Sequence, residues 1–188
     1  MIYLAPHAIE ATGENAIPET LAAFLAERHG SQRDASVVQA NQVFHTGADA
    51  MQRLIARSFF FGEVVLGGKY VMVDDVTTLG GTLADLADYI QGNGGEVLGS
   101  VLLVNAARSG RLIPSQAVIR QIERRYGDEV RETFGIELAA LTAEEAGYLI
   151  GFRNAGEIRS RAASAAEARA GRLRAKGFRE ESVAPDPI

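Results

Sequence analysis

The chain has 188 residues, 47% of them hydrophobic and 23% charged, with a formal net charge of −5. That length builds one compact domain with its own core and no need of a metal or disulfide staple. The lack of cysteine excludes thiol nucleophiles, iron–sulfur clusters, cysteine zinc sites and disulfides, and His7, His29 and His45 show no HExxH spacing for a zinc hydrolase. The first ten residues carry no basic n-region, and no stretch approaches eighteen apolar residues, so the expectation is a cytoplasmic protein with no membrane partner. The acidic balance weighs against nucleic acid as a partner. Charge is uneven, however. Between Arg153 and Glu181 eight basic residues face four acidic ones, a pattern that reads first as a solvated helix face.

Along the chain, apolar bursts alternate with helical spacing. Residues 1–5, MIYLA, form a short buried strand. A helix opens at Ile17-Pro18-Glu19, with Pro18 tolerated in its first turn and Leu21, Phe24, Leu25 and Arg28 following at helical spacing. Residues 36–40, SVVQA, make a second strand. Gly47 precedes a helix with Met51, Leu54 and Ile55, ended by Phe59-Phe60-Phe61. The clearest strand is 70–75, YVMVDD, whose apolar run suits burial on both sheet faces. A Thr/Gly turn and the helix LADLADYIQ follow it, and the glycines at 92, 94 and 95 stop that helix. Residues 96–106 are the next strand. Strand and helix in alternation predict an α/β domain with a doubly wound, mostly parallel sheet.

From residue 111 onward the pattern is helical. Pro114-Ser115 opens one helix, and Thr142 with Glu145 three residues later forms a capping box for another. The Ala-, Arg- and Glu-rich stretch from Ala155 has strong helix propensity and a narrow apolar face. The expected organisation is a core over 1–110 and a mainly helical region over 111–188 within the same domain.

The informative segment is Tyr70-Val71-Met72-Val73-Asp74-Asp75-Val76-Thr77-Thr78-Leu79-Gly80-Gly81-Thr82. A buried strand delivers two carboxylates to its C-terminal end, and a Gly- and Thr-rich turn leads directly into a helix. Backbone N–H groups of such a turn, with the helix dipole behind them, can cradle a phosphate. Thr77, Thr78 and Thr82 add hydroxyls, while Gly80 and Gly81 allow close approach of the backbone. Carboxylates repel phosphate, so Asp74 and Asp75 point to sugar hydroxyls or a magnesium shell one sugar-length away.

This segment resembles the phosphoribosyl pyrophosphate (PRPP) motif of type I phosphoribosyltransferases. The resemblance implies that fold, with Asp74 and Asp75 on the ribose hydroxyls as catalytic carboxylates and indirect magnesium ligands. It implies a 5′-phosphate held by Thr77, Thr78, Leu79, Gly80, Gly81 and Thr82. Leu79 departs from the pattern, since many members have Thr or Ala there. By the same resemblance, Pro6, His7 and Ala8 fall in a pyrophosphate loop. His45, Arg53 and Arg57 fall in a loop that closes over PRPP, and Asn105 meets the base. Arg53 and Arg57, four apart, share a helix face, which suits a diphosphate as well as it suits solvent. The function so implied is magnesium-dependent transfer of a phosphoribosyl group to an unidentified base, with release of pyrophosphate, by a homodimer of nucleotide metabolism. The alternative is a PRPP-sensing regulatory or partner-binding protein without turnover.

Overall fold

The computed structural model describes residues 1–6, 9–10, 13–40, 48–107, 109 and 111–175, with the backbone alone at 9–10 and 13–14. The chain opens with β1 (Ile2–Leu4), followed by a small antiparallel hairpin of β2 (Ile9–Glu10) and β3 (Gly13–Glu14). Asn15 then caps α1 (Ala16–Arg28), its side-chain oxygen accepting from the Ile17 N–H at 3.2 Å. Pro18 lies buried in the first turn of α1, where a missing N–H costs the helix nothing.

β4 (Gln32–Asp34) follows and pairs in parallel with β1, whose other edge pairs in parallel with β7 (Lys69–Thr77). β7 in turn pairs in parallel with β8 (Glu96–Asn105), giving a four-stranded sheet in the order β4-β1-β7-β8. Between β7 and β8 the chain crosses over through α3 (Gly81–Gly92).

Alternation along β1 and β7 explains why both faces of the sheet are covered. Ile2, Leu4, Tyr70 and Met72 pack with Leu83, Leu86 and Ile90 of α3. Tyr3, Ala5 and Val73 turn the other way, onto Ala22 and Ala26 of α1. Each large side chain fully buried here, such as Leu4, Leu86 or Ile90, contributes about 1.5–3 kcal/mol. The protein is thus α/β, with a parallel sheet between helices.

Two local expectations are corrected. The stretch 36–40 is not a strand of the main sheet: only β5 (Val38–Gln39) is extended, and it pairs antiparallel with β6 (Phe60–Phe61), the residues expected to close a helix. The sheet's fourth strand is instead the polar Gln32-Arg33-Asp34. It occupies an edge, so its alternation carries no apolar signal, and it is held partly by the Tyr70 hydroxyl donating to Asp34 Oδ2 at 3.1 Å.

The helical region has a core of its own. It is built from α4 (Gln116–Phe134), a 3-10 turn (Leu138–Ala140), α5 (Ala143–Ile150) and α6 (Ala155–Ala175), and it also takes in the short α2 (Ala50–Leu54). Ile122, Val130, Leu149 and Ile158 are fully buried there together with Met51 and Leu54 of α2. α4 kinks at Tyr126, whose φ of −160° and ψ of 35° leave the helical region. That residue and its neighbour close the end of α5: the Tyr126 hydroxyl donates to Phe152 O at 2.9 Å and Arg125 donates to Ile150 O at 2.9 Å. Buried Glu129 of α4 pairs with Arg159 of α6 and accepts from Thr133 Oγ1 at 2.6 Å. Among the described residues no helix is long and apolar enough to cross a membrane.

Candidate functional site

The sheet order places a switch point between β1 and β7. From β1 the chain moves outward to β4, and from β7 it moves outward the other way to β8. A crevice opens beyond the carboxyl ends at such a point, and Pro6 on one side and Asp74-Asp75 on the other lie there. His7, Ala8 and His45 fall outside the described residues.

The two carboxylates diverge. Asp74 is aligned with Met72 along the strand and lines a small pocket with the turn. Asp75 is turned to the α1 side, where Oδ2 accepts from Asn15 Nδ2 at 2.8 Å and Oδ1 accepts from the Val76 N–H at 2.7 Å. Both oxygens of Asp75 are therefore engaged, Oδ2 in joining the start of α1 to the end of β7 and Oδ1 within the strand itself. Asp74 Oδ1 accepts from the Asp75 N–H at 2.9 Å. Asn105, opposite Thr77 across the β7–β8 pair, is exposed, and its Oδ1 accepts from the Ala107 N–H at 2.9 Å.

The turn 77–82 wraps the pocket, about 80 Å³ in volume, which Arg53, Arg57, Asp85 and Glu145 complete. Gly80 has a φ of +77° at the N-cap of α3 and supplies no side-chain cap. Only glycine takes that conformation without strain, and a Cβ there would lie 2.8 Å from Leu112 Cδ1. Arg53 reaches the turn directly, donating from Nη1 to Thr78 Oγ1 at 2.5 Å.

Arg57 lies between two carboxylates, with Nη2 3.1 Å from Glu145 Oε2 and Nη1 3.4 Å from Asp85 Oδ1. Glu145 is almost wholly buried and Asp85 largely so. Burial pushes both carboxyls above the usual range, and the Arg57 guanidinium offsets only part of that rise. One guanidinium faces two acids, so negative charge is in excess around Arg57 beneath the turn.

The helical region braces the same turn. The Thr142 hydroxyl accepts from the Glu145 N–H at 3.2 Å and donates to Leu79 O at 2.5 Å. The Thr142 N–H donates back to Glu145 Oε2 at 2.9 Å, completing the capping box. The box is visible in the sequence as a helix start; its second task, holding the Leu79 carbonyl, is not. Asp85, Thr142 and Glu145 are thus site residues that sequence reasoning missed, while Asn15 ends the expected pyrophosphate loop without a role assigned to it. For Asn15 the one local signal is its place as an N-cap.

Tyr126 and Phe152 lie in the helical core, and Tyr148 stacks edge-on against Phe152 at 5.1 Å. A larger groove of about 770 Å³ runs along the outer side of α3, past Phe60, Leu98 and Ile113. Of the sequence-predicted site residues, only Arg57 borders it. No group of three or more Asp, Glu, His or Cys suited to a metal ion occurs among the described residues.

Compared with known proteins, the chain matches no family model. It is 37% identical over 162 residues to Protein TraN of Escherichia coli, a match covering 84% of this chain and 36% of that protein. It is 40% identical over 89 residues to an uncharacterized protein of Haemophilus influenzae, covering 47% of this chain and 20% of the other. The chain therefore spans about a third of the first relative's length and a fifth of the second's.

These findings overturn the transferase reading. Neither relative is named as a phosphoribosyltransferase, and no family model of that activity matches. Phosphoribosyl transfer from PRPP, the PRPP-sensing alternative, glycosyltransferase activity and a place in nucleotide metabolism are accordingly set aside. The physical reason is that thirteen residues record only a local strand, turn and helix start. They do not specify the distant groups that a transfer reaction would need.

Proposed function

We propose that this chain is an anion-binding module whose 77–82 turn receives the phosphate of a small phosphorylated ligand, within a longer protein of the TraN kind. The observation that carries the reading is convergence. A left-handed glycine at the start of α3, the hydroxyls of Thr77, Thr78 and Thr82, and the Arg53 guanidinium all border one pocket of about 80 Å³. The phosphate is assigned to the turn itself, and the rest of the ligand extends along the crevice past Asp74, which lines the same pocket. Backbone N–H groups, dipole and guanidinium then act on the same oxygens.

Asp74 is the residue assigned to the ligand's hydroxyls. Asp75 is assigned to shaping the crevice, because Asn15 and its own turn already engage both its oxygens. Magnesium belongs to the proposal only as an ion arriving with the ligand: Asp74 through a water, together with ligand oxygens, would hold it. The doubly wound arrangement, with the ligand at the switch point of a 1–110 core and the 111–188 region as its helical cover and a dimer contact, is part of the same reading.

Thermal unfolding with ribose 5-phosphate, ribose and inorganic phosphate tests it. At a hundred times its dissociation constant, a bound ligand adds about 2.7 kcal/mol, roughly 7 °C for a chain of this size. The expected order is ribose 5-phosphate above phosphate, with ribose giving no shift, and Arg53→Ala abolishing most of the gain. A folded protein indifferent to every phosphate at millimolar concentration would refute the reading.

A further inference from the structure

We infer that α6 belongs to the anion site: Arg172 is a positioning residue that, through Gln52, holds Arg53 against the turn. The functional consequence rests on the phosphate reading above, whereas the geometry stands without it.

α2 is five residues long, too short to keep its shape by its own hydrogen bonds. Tertiary contacts set it instead. Met51 and Leu54, 1% and 0% exposed, are sunk among the side chains of the helical core. Its first turn is closed by a capping box: the Gln52 N–H donates to Asp49 Oδ1 at 2.8 Å, and the Asp49 N–H donates to Gln52 Oε1 at 3.1 Å. That same Gln52 Oε1 accepts from Arg172 Nη2 at 2.6 Å, across 120 residues of sequence.

The consequence runs through one rigid unit. The Asp49 N–H and the Ala48 C=O belong to a single planar peptide, so fixing one end fixes the direction of the other. Gln52 holds the N–H end of that peptide. Its carbonyl end accepts from Arg53 Nε at 3.0 Å. Arg53, tied at Nε, turns Nη1 toward Thr78 Oγ1 at 2.5 Å. Arg172 thus orients Gln52, Gln52 orients the 48–49 peptide, and the peptide orients the guanidinium that meets the anion. A cation held this way loses less side-chain freedom when its ligand arrives.

The experiment is a double-mutant cycle on ribose 5-phosphate affinity, joined to amide hydrogen exchange in the absence of ligand. Arg172→Ala is expected to weaken binding about three- to tenfold in the native background, and by less than about twofold once Arg53→Ala is present, the non-additivity of a coupled pair. Arg172→Lys, which keeps a donor, recovers part of the loss. Arg161→Ala, on an exposed position of the same helix, removes an equal charge without the bond and changes affinity by less than about twofold. In the exchange arm, Arg172→Ala speeds exchange at the Asp49 and Gln52 amides while β7 stays protected. Additive losses, or unchanged exchange at Asp49, would overturn the inference. Failure of wild-type protein to bind any phosphate would refute the phosphate reading alone, and the exchange arm would still decide the positioning.

Discussion

Glu145 is where the helical region and the turn depend on each other most, and its replacements separate charge from hydrogen bonding. In Glu145→Ala the Thr142 N–H loses its acceptor and Arg57 loses one of two carboxylates. A buried donor left unpaired costs about 1–3 kcal/mol. Arg57 keeps Asp85, so the further loss falls short of a fully broken buried pair, and with the small cavity the total is about 2–4 kcal/mol. Unfolding entropy near 2.1 cal/mol/K per residue makes that a fall of roughly 5–10 °C in Tm. Glu145→Gln keeps an acceptor for both donors and sheds the charge. Burial raises this carboxyl, so the native protein holds its proton to higher pH than the unfolded chain does. Native protein then binds more protons in that window, and its stability falls as pH rises from the ordinary glutamate range, near 4.5, through the raised value. Relative to wild type, Glu145→Gln should therefore match it in acid and equal or exceed it at neutral pH, followed by calorimetry from pH 4 to 8. A Gln variant as unstable as the Ala variant, or a difference that widens toward acid, would refute this account.

Two further outcomes are expected. Gly80→Ala imposes a left-handed conformation on a residue with a side chain and drives Cβ toward Leu112, which should cost about 1–2 kcal/mol, or some 2–5 °C, and weaken phosphate binding; an unchanged Tm would contradict the φ of +77°. Sulfate, whose charge is constant at these pH values, should bind more tightly as pH falls toward the raised range of Asp85 and Glu145, because proton uptake there removes negative charge beneath the turn. Titration calorimetry would show this, and Asp85→Asn should flatten the profile.

The sheet was legible wherever a strand is buried on both faces. Residues 70–73 announce β7 because Tyr70 and Met72 meet α3 while Val71 and Val73 meet α1, so no charged residue interrupts the run before Asp74. Helix starts at Ser115 and Thr142 were legible for a local reason: each cap side chain accepts from an N–H three residues on. β4 was not legible, since Gln32 and Arg33 lie at an exposed edge and owe their extension to pairing with β1. The β5–β6 pair gives no such signal, because Phe59-Phe60-Phe61 has no period long enough to tell a strand from the end of a helix.

At the site the division has the same cause. The turn is local, and its chemistry is written in consecutive residues, with glycine where φ is positive and hydroxyls around it. What decides how the turn is used comes from elsewhere: Asn15 from 60 residues upstream engages Asp75, and Thr142 from 63 residues downstream holds Leu79. Neither contact has a spacing that a motif could record. Asp74 and Asp75 look equivalent in sequence, yet strand alternation sends one toward the pocket and the other onto the cap of α1. A motif of two acids and a glycine turn therefore reports a local shape. Under the proposal above, the residues that reach it from α1, α2 and α5 decide what that shape holds.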